Sequence, residues 1–334
     1  RDRADKYESL SGLVGHTPLL RLHLHCEGRA INVYAKAEMF NFSGSIKDRM
    51  ALSILHAASQ DGSLMPGQPI AEATSGNAGI AIAALGTALG HPVTIFMPDW
   101  MSAERRAILK GHGATVRLVS KEEGGFLGSI AMAEKLGADE DAFLPRQFSN
   151  ENNCLAHYDG TGPEIWHQIL SDEAQLGGFV AGVGTGGTVM GAGRYLKEMD
   201  PNISVHPVEP VESPTLSTGH KVGHHRIQGV SDEFIPEIVK LNEVDEIIDV
   251  NDGDAILMAQ KLCREFGLGV GISSGANLIA AIRLALLRED GKAIATVFAD
   301  SNVKYLSTDL AKEEPVRDCY LTPDVELLAL QSIR

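Results

Sequence analysis

A lysine at position 47 ends a run of small residues, Asn41-Phe42-Ser43-Gly44-Ser45-Ile46-Lys47-Asp48-Arg49-Met50, where a loop pattern turns helical. The first turn of a helix carries partial positive charge, which disfavours a second positive charge beside it and holds an amine nearer its neutral, nucleophilic form. Such a lysine is a candidate Schiff-base former, set against the ordinary alternative of a solvated surface lysine. Three further small-residue turns, each closing an apolar run and opening a helical one, favour the chemical reading.

The stretch Gly182-Val183-Gly184-Thr185-Gly186-Gly187-Thr188 joins a β-branched run to a helix start. Glycines allow close approach of the backbone to an anion, and the N–H groups and helix dipole bind it, so a phosphate cup is expected. The same stretch satisfies a dinucleotide fingerprint, with Glu209 about 20 residues on, and a nicotinamide-dependent oxidoreductase stands as the distant alternative. Two earlier glycine-rich turns and a lysine with no task in hydride transfer count against it. Gly271-Ile272-Ser273-Ser274-Gly275 has the form of a hydrolase nucleophile elbow, but that arrangement needs a histidine after the serine, and the last histidine is His225. One of the two serines is expected to cap the following helix. Ala73-Thr74-Ser75-Gly76-Asn77-Ala78-Gly79 offers hydroxyl, amide and backbone donors suited to a carboxylate.

Elements that position these turns are legible as alternation. Runs at 31–36, 68–73, 93–97, 115–118, 178–183, 204–208 and 293–298 read as buried strands. Ala/Leu-rich stretches at 50–58, 79–89, 104–110, 128–136, 162–170, 188–199, 255–266 and 276–287 read as helices. This alternation predicts βαβ units, mostly parallel sheets and an α/β fold in two halves with a ligand cleft between them.

Composition narrows the classes. The chain has 334 residues, 44% apolar and 22% charged, with a formal charge of -15, which argues against nucleic-acid and anionic-membrane partners. No stretch predicts a membrane span, and the N-terminal Arg1-Asp2-Arg3-Ala4-Asp5 lacks a signal peptide's apolar core. Cys26, Cys154, Cys263 and Cys319 are widely separated, so neither a disulfide framework nor a metal site is expected, and a reduced, cytoplasmic location is.

Taken together, Gly44-Ser45-Ile46-Lys47-Asp48-Arg49, Thr74-Ser75-Gly76-Asn77, Gly184-Thr185-Gly186-Gly187-Thr188 and Gly271-Ile272-Ser273-Ser274-Gly275 resemble, in order and spacing, the cysteine synthase and cystathionine β-synthase family of fold type II pyridoxal-phosphate enzymes. Gly15-His16-Thr17-Pro18-Leu19, Met97-Pro98-x-x-Met101-Ser102-x-Glu104-Arg105-Arg106, Thr161-Gly162-Pro163-Glu164-Ile165-Trp166 and Ile227-Gln228-Gly229 extend the resemblance over roughly residues 10 to 310. It implies two αβα domains, with 45–153 as the smaller mobile domain, 1–44 and 154–334 as the larger, and pyridoxal 5'-phosphate in the cleft between them. It also implies a homodimer and β-elimination or β-replacement on a small L-amino acid. Lys47 would hold the cofactor and then shuttle the α-proton. Gly184, Thr185, Gly186, Gly187 and Thr188 would cradle the phosphate, Asn77 would bond the ring hydroxyl, and Ser273 would face the ring nitrogen. Thr74, Ser75, Gly76, Asn77, Gln147 and Gly229 would bind substrate.

Two departures matter. Ala78 stands where family members commonly carry threonine, removing one carboxylate-contacting hydroxyl. Asp232 and Glu233 occupy a loop, Gly229-Val230-Ser231-Asp232-Glu233-Phe234, where glycine or alanine is usual. A carboxylate there repels hydrosulfide but can activate water, so Asp232 is a candidate base for converting L-cysteine and water to L-serine and hydrogen sulfide. The alternative is an outward-facing acidic pair. An O-phosphoserine substrate would want a further arginine near the β-position, which the sequence does not place.

Overall fold

A computed structural model describes residues 3–74, 76–231 and 233–334. Ser75 and Asp232 lie outside the described residues. After helix α1 (Arg3–Ser11), strands β1 (Leu19–Cys26) and β2 (Arg29–Ala37) form an antiparallel hairpin that pairs Cys26 with Arg29. Its turn needs left-handed backbone at both central residues, Glu27 (φ 51°) and Gly28 (φ 76°), the geometry that suits the strands' twist.

Helix α2 (Lys47–Asp61) then leads into a three-stranded parallel sheet ordered β3 (Ile70–Ala73), β4 (Val93–Pro98), β5 (Thr115–Val119). Helices α3 (Asn77–Leu89), α4 (Ala103–Gly111) and α5 (Gly125–Glu140) are interleaved with those strands or follow them. Small residues let α3 pack closely: a Cβ at Gly79 would meet Thr74 Cγ2 at 2.5 Å, and one at Gly86 would meet Val93 Cγ2 at 2.7 Å.

The chain continues through α6 (Asn152–Ala156), a π-helical turn (His157–Thr161) and α7 (Gly162–Ser171). A second series follows: β6 (Leu176–Gly182), α8 (Gly187–Met199), β7 (Ser204–Pro210), the short α9 (Thr215–Thr218), β8 (Ile248–Val250), α10 (Asp252–Phe266), α11 (Ile272–Leu287), β9 (Ala293–Phe298) and β10 (Val325–Ile333). The larger sheet runs β10-β1-β2-β9-β6-β7-β8, parallel from β2 to β8 and antiparallel at the β10 edge. Strand β9 is buried throughout and β6 at all but its last residue, because helices cover both faces. One apolar cluster lies around α10 and α11 and another around α7 and α8, on either side of this sheet. A third unites α2 and α3 with the smaller sheet.

The predicted alternation is present and the sheets are mostly parallel. Three strands differ from expectation: β1, β8 and β10 carry no separate prediction, and the C-terminal tail forms the edge strand β10 beside β1.

Candidate active site

The lysine turn is fixed from both ends. Ser43 donates to the Asp48 carboxylate through its N–H (2.8 Å) and hydroxyl (2.6 Å), and Ile46 N–H donates to Ala299 O at 2.9 Å. Gly44 has φ 84°, a left-handed value that a side chain would strain. Burial pushes the Asp48 carboxyl up, against the Ser43 hydrogen bonds that lower it. Behind α2, the buried Arg49 guanidinium bonds Glu38 (2.6 and 2.8 Å) and Glu164 (both 2.8 Å), and Lys36 pairs with Glu164 at 2.7 Å. For Glu164, burial acts upward but is outweighed by hydrogen bonds and charge from Arg49 and Lys36, leaving it at about 2. This network ties β2, α2 and α7 together, so Lys47 opens α2 from a rigid base and faces the cleft.

That cleft, open to solvent, is lined by Lys47, Thr74, Gly76, Asn77, Gln147, Gly184, Thr185, Gly229 and Ser273. Eight positions expected from the three other turns and two loops thus meet the lysine at one site. Asn77 is the first residue of α3. Its amide donates to Asp300 Oδ2 at 2.7 Å, and its carbonyl accepts from Lys304 Nζ at 3.1 Å. Lys304 also donates to Gly44 O at 3.1 Å, and Tyr305 OH donates to Asp300 Oδ2 at 2.6 Å. Burial lowers the Lys304 amine, opposed by Asp300 and Asp48. The orientation of Asn77 is therefore set by residues more than 220 positions away, which no local pattern points to.

The glycine turn has little room for side chains. A Cβ at Gly184 would lie 2.3 Å from Gly229 O, and one at Gly187 would lie 1.9 Å from Asn153 Oδ1. Gly186 has φ 89° and leads into α8, a helix of 13 residues whose positive end faces this turn. Asn153 donates to Thr185 Oγ1 and to Gln147 O, both at 2.9 Å. Thr188 Oγ1 lies 3.4 Å from His157 Nε2, and His157 Nδ1 lies 2.8 Å from Thr161 Oγ1. Burial first, then the charges of Arg49 and Lys47, holds His157 well below the usual imidazole range, so it stays neutral.

Neither serine of the 271–275 turn caps α11, contrary to expectation: Gly271 occupies the cap position, with no side-chain cap bond. Ser274 Oγ instead accepts from Ala299 N–H at 3.1 Å, which leaves Ser273 to line the cleft. Glu209 is 2% exposed and its carboxylate accepts from Leu216 N–H (2.7 Å) and Ser217 N–H (3.4 Å). It does not line the cleft, so the acidic residue of a dinucleotide site is committed elsewhere.

Thr74 Oγ1 accepts from Gly76 N–H at 3.1 Å, and Gln147 Nε2 donates to Ala73 O at 3.2 Å. Beneath them Glu72 is buried and accepts from Ala73 N–H at 2.9 Å and Gln147 N–H at 3.3 Å. Burial raises its carboxyl to about 7. Of the acidic pair, Glu233 is paired with Lys221 at 3.2 Å on the outer side. Gly229, Val230 and Ser231 line the cleft and lead directly to Asp232.

An anion cradle at a helix N-terminus, a lysine amine, an oriented carboxamide and a neutral hydroxyl around one cleft fit a phosphorylated aromatic aldehyde. The sequence reading missed Asp300, Lys304, Tyr305, Asn153, His157 and Glu72. Arg105 and Gln228 appeared in it only as motif members, and both line the cleft.

Comparison with known proteins agrees with this geometry. Residues 10–300 match the family described as pyridoxal-phosphate dependent enzymes. A probable cysteine synthase of Bacillus subtilis is 45% identical over 299 residues, covering 89% of this chain and 96% of its own. The crystal structure of a hydrogen sulfide-producing enzyme from Fusobacterium nucleatum is 51% identical, covers 98% of this chain and 99% of that one, and superposes with a TM-score of 0.95. A D232N variant of a hydrogen sulfide-producing enzyme, in complex with an α-aminoacrylate intermediate, superposes with a TM-score of 0.94 at 51% identity, covering 98% of this chain and 99% of that one.

Proposed function

Because this chain belongs to the pyridoxal-phosphate dependent enzyme family, we propose that it acts on L-cysteine, releasing sulfide and adding water to give L-serine. The broader activity, β-elimination and β-replacement on a small L-amino acid of cysteine metabolism, is that of a pyridoxal-phosphate lyase or transferase. What supports the narrower reading is the 51% likeness to a hydrogen sulfide-producing enzyme, together with a cleft lined by Gly229–Ser231, the residues that precede Asp232 in the sequence.

Pyridoxal phosphate, when bound, supplies an electron sink at the substrate's α-carbon. Gly184 through Thr188 would hold its phosphate with backbone N–H groups, and Asn77 would present an amide to its ring hydroxyl. Ser273 would meet the ring nitrogen without a charge. A neutral partner there would favour expulsion of a β-leaving group. Lys47 would hold the cofactor and, with its amine free, would take the α-proton and later return it. Thr74, Ser75, Gly76, Asn77 and Gln147 bind the α-carboxylate. The Cβ–S bond breaks with its electron pair on sulfur, and hydrosulfide leaves. Asp232 would take one proton of a water whose oxygen bonds to Cβ and give it up to the hydrosulfide, so L-cysteine and water balance L-serine and hydrogen sulfide.

The test is incubation of the holoenzyme with L-cysteine while sulfide and L-serine are assayed together. Equimolar products are expected, and Asp232→Asn should cut the L-serine yield by at least tenfold while sulfide release persists. Unchanged L-serine from the variant would remove Asp232 from the role. The 45% likeness to a probable cysteine synthase favours a second reading, with sulfide as nucleophile and an activated serine ester as donor; sulfide consumption with such an ester and no turnover of L-cysteine would establish it. We further propose that residues 45–153 close as a smaller domain over substrate, and that the enzyme is a cytoplasmic homodimer. Light scattering checks its mass.

A further inference from the structure

We infer that Arg105 is the charged anchor for the substrate α-carboxylate, supplementing the neutral donors of the 74–78 segment. This rests on the amino-acid substrate proposed above but not on which β-substituent leaves.

Arg105 projects from α4, is 3% exposed, and lines the cleft with Thr74, Gly76, Asn77 and Gln147. Its Nε is buried and has no hydrogen-bond partner. Its direct contacts are with neutral groups, Nη1 donating to Gln228 Oε1 and the guanidinium carbon standing 5.0 Å from the Tyr305 ring centroid, while the Lys304 amine is close enough to feel its charge. No carboxylate among the described residues forms an ion pair with it. Asp300, the carboxylate of the adjoining network, gives Oδ2 to Asn77 and Tyr305 and is shared electrostatically with Lys304. A buried guanidinium without an ionic partner carries an unrecovered desolvation cost, which a bound anion offsets.

Position selects the anion. A Cβ at Gly76 would lie 3.2 Å from Arg105 Nε and 3.4 Å from its Cζ, so the edge carrying the unused N–H abuts the backbone at Gly76. A planar fork beside that segment suits a carboxylate held bidentately. Ala78 removes a hydroxyl from the same segment, and Arg105 supplies a stronger donor in its neighbourhood. Because α4 follows β4 of the smaller sheet while Gln228 and Tyr305 lie near the larger one, the anchor spans the cleft.

The test uses holoenzyme with two ligands that differ only in the carboxylate, L-serine and ethanolamine, and reads binding from the cofactor absorbance. O-phosphoethanolamine, with an anion at the β-end alone, serves as the third. Arg105→Met is expected to weaken L-serine binding roughly 30-fold and ethanolamine less than threefold, with Arg105→Lys recovering part of the loss. Equal weakening of L-serine and ethanolamine would make Arg105 a packing residue, and unchanged binding of all three would also overturn the anchor. A loss confined to O-phosphoethanolamine would transfer the contact to the β-substituent and overturn the carboxylate assignment. Should Arg105→Met fail to hold the cofactor, Arg105→Gln carries the same comparison. Wild-type enzyme that makes no sulfide from L-cysteine, yet shows the Arg105-dependent preference for L-serine, would sink the proposed reaction and leave the anchor standing.

Discussion

Gly187 shows how narrow the tolerance is at single positions. Its missing Cβ is the space filled by Asn153, whose amide is 1% exposed and bonded to both Thr185 and Gln147, so it cannot yield without breaking two contacts. Gly187→Ala is therefore expected to reduce cofactor affinity by at least tenfold in reconstitution of apoprotein followed by absorbance, and to cost about 1–3 kcal/mol of stability. Lysine, glycines and serines of the site could be named from sequence because each sits where a strand or loop turns into a helix, a junction with a local signature. Asp300, Lys304 and Tyr305 could not. They reach Asn77 only through the packing of distant segments, and nothing in their own neighbourhood marks them as cleft residues.

Strand β3 places a carboxylate where burial on both faces would favour an apolar side chain. Glu72 has a folded value of about 7 against an ordinary 4.5, raised chiefly by burial. The folded protein thus binds more protons between those values, and the stabilisation from protonated Glu72 is complete below about 4.5 and is lost as pH rises through about 7. Glu72→Gln is expected to remove this slope, which amounts to on the order of 3 kcal/mol in wild type. Denaturant midpoints at pH 5 and pH 8 check it: a slope unchanged in the variant would contradict the assignment. Helix and strand existence followed from periodicity, with core boundaries within a few residues for the central elements. The edge strands were less legible, because β10 is exposed at most positions and its Val325 and Ile333 ends alone are buried.

Across the whole molecule, β10 closes the open edge of the larger sheet by pairing with β1 along its length. Removing residues 325–334 is expected to leave the cleft intact while exposing β1's unpaired backbone groups, so the shortened protein should retain cofactor but self-associate, as light scattering against concentration would show. A monodisperse truncated protein would mean that another segment covers β1. The ion network of Lys36, Glu38, Arg49 and Glu164 joins three distant stretches of chain beneath the lysine turn, which makes the site a property of the assembled fold.

The alternation of strands and helices and the four small-residue turns were determined by sequence alone, because periodicity and turn chemistry act over a few neighbouring residues, whereas the cofactor-holding roles are what the family resemblance implies. Tertiary structure alone decided that Glu209 is used up at α9, that Ser274 bonds the backbone while Ser273 faces the cleft, and that Arg105 is buried there without an ionic partner. Those outcomes depend on which groups are desolvated together, and desolvation is set by contacts between segments far apart in the chain.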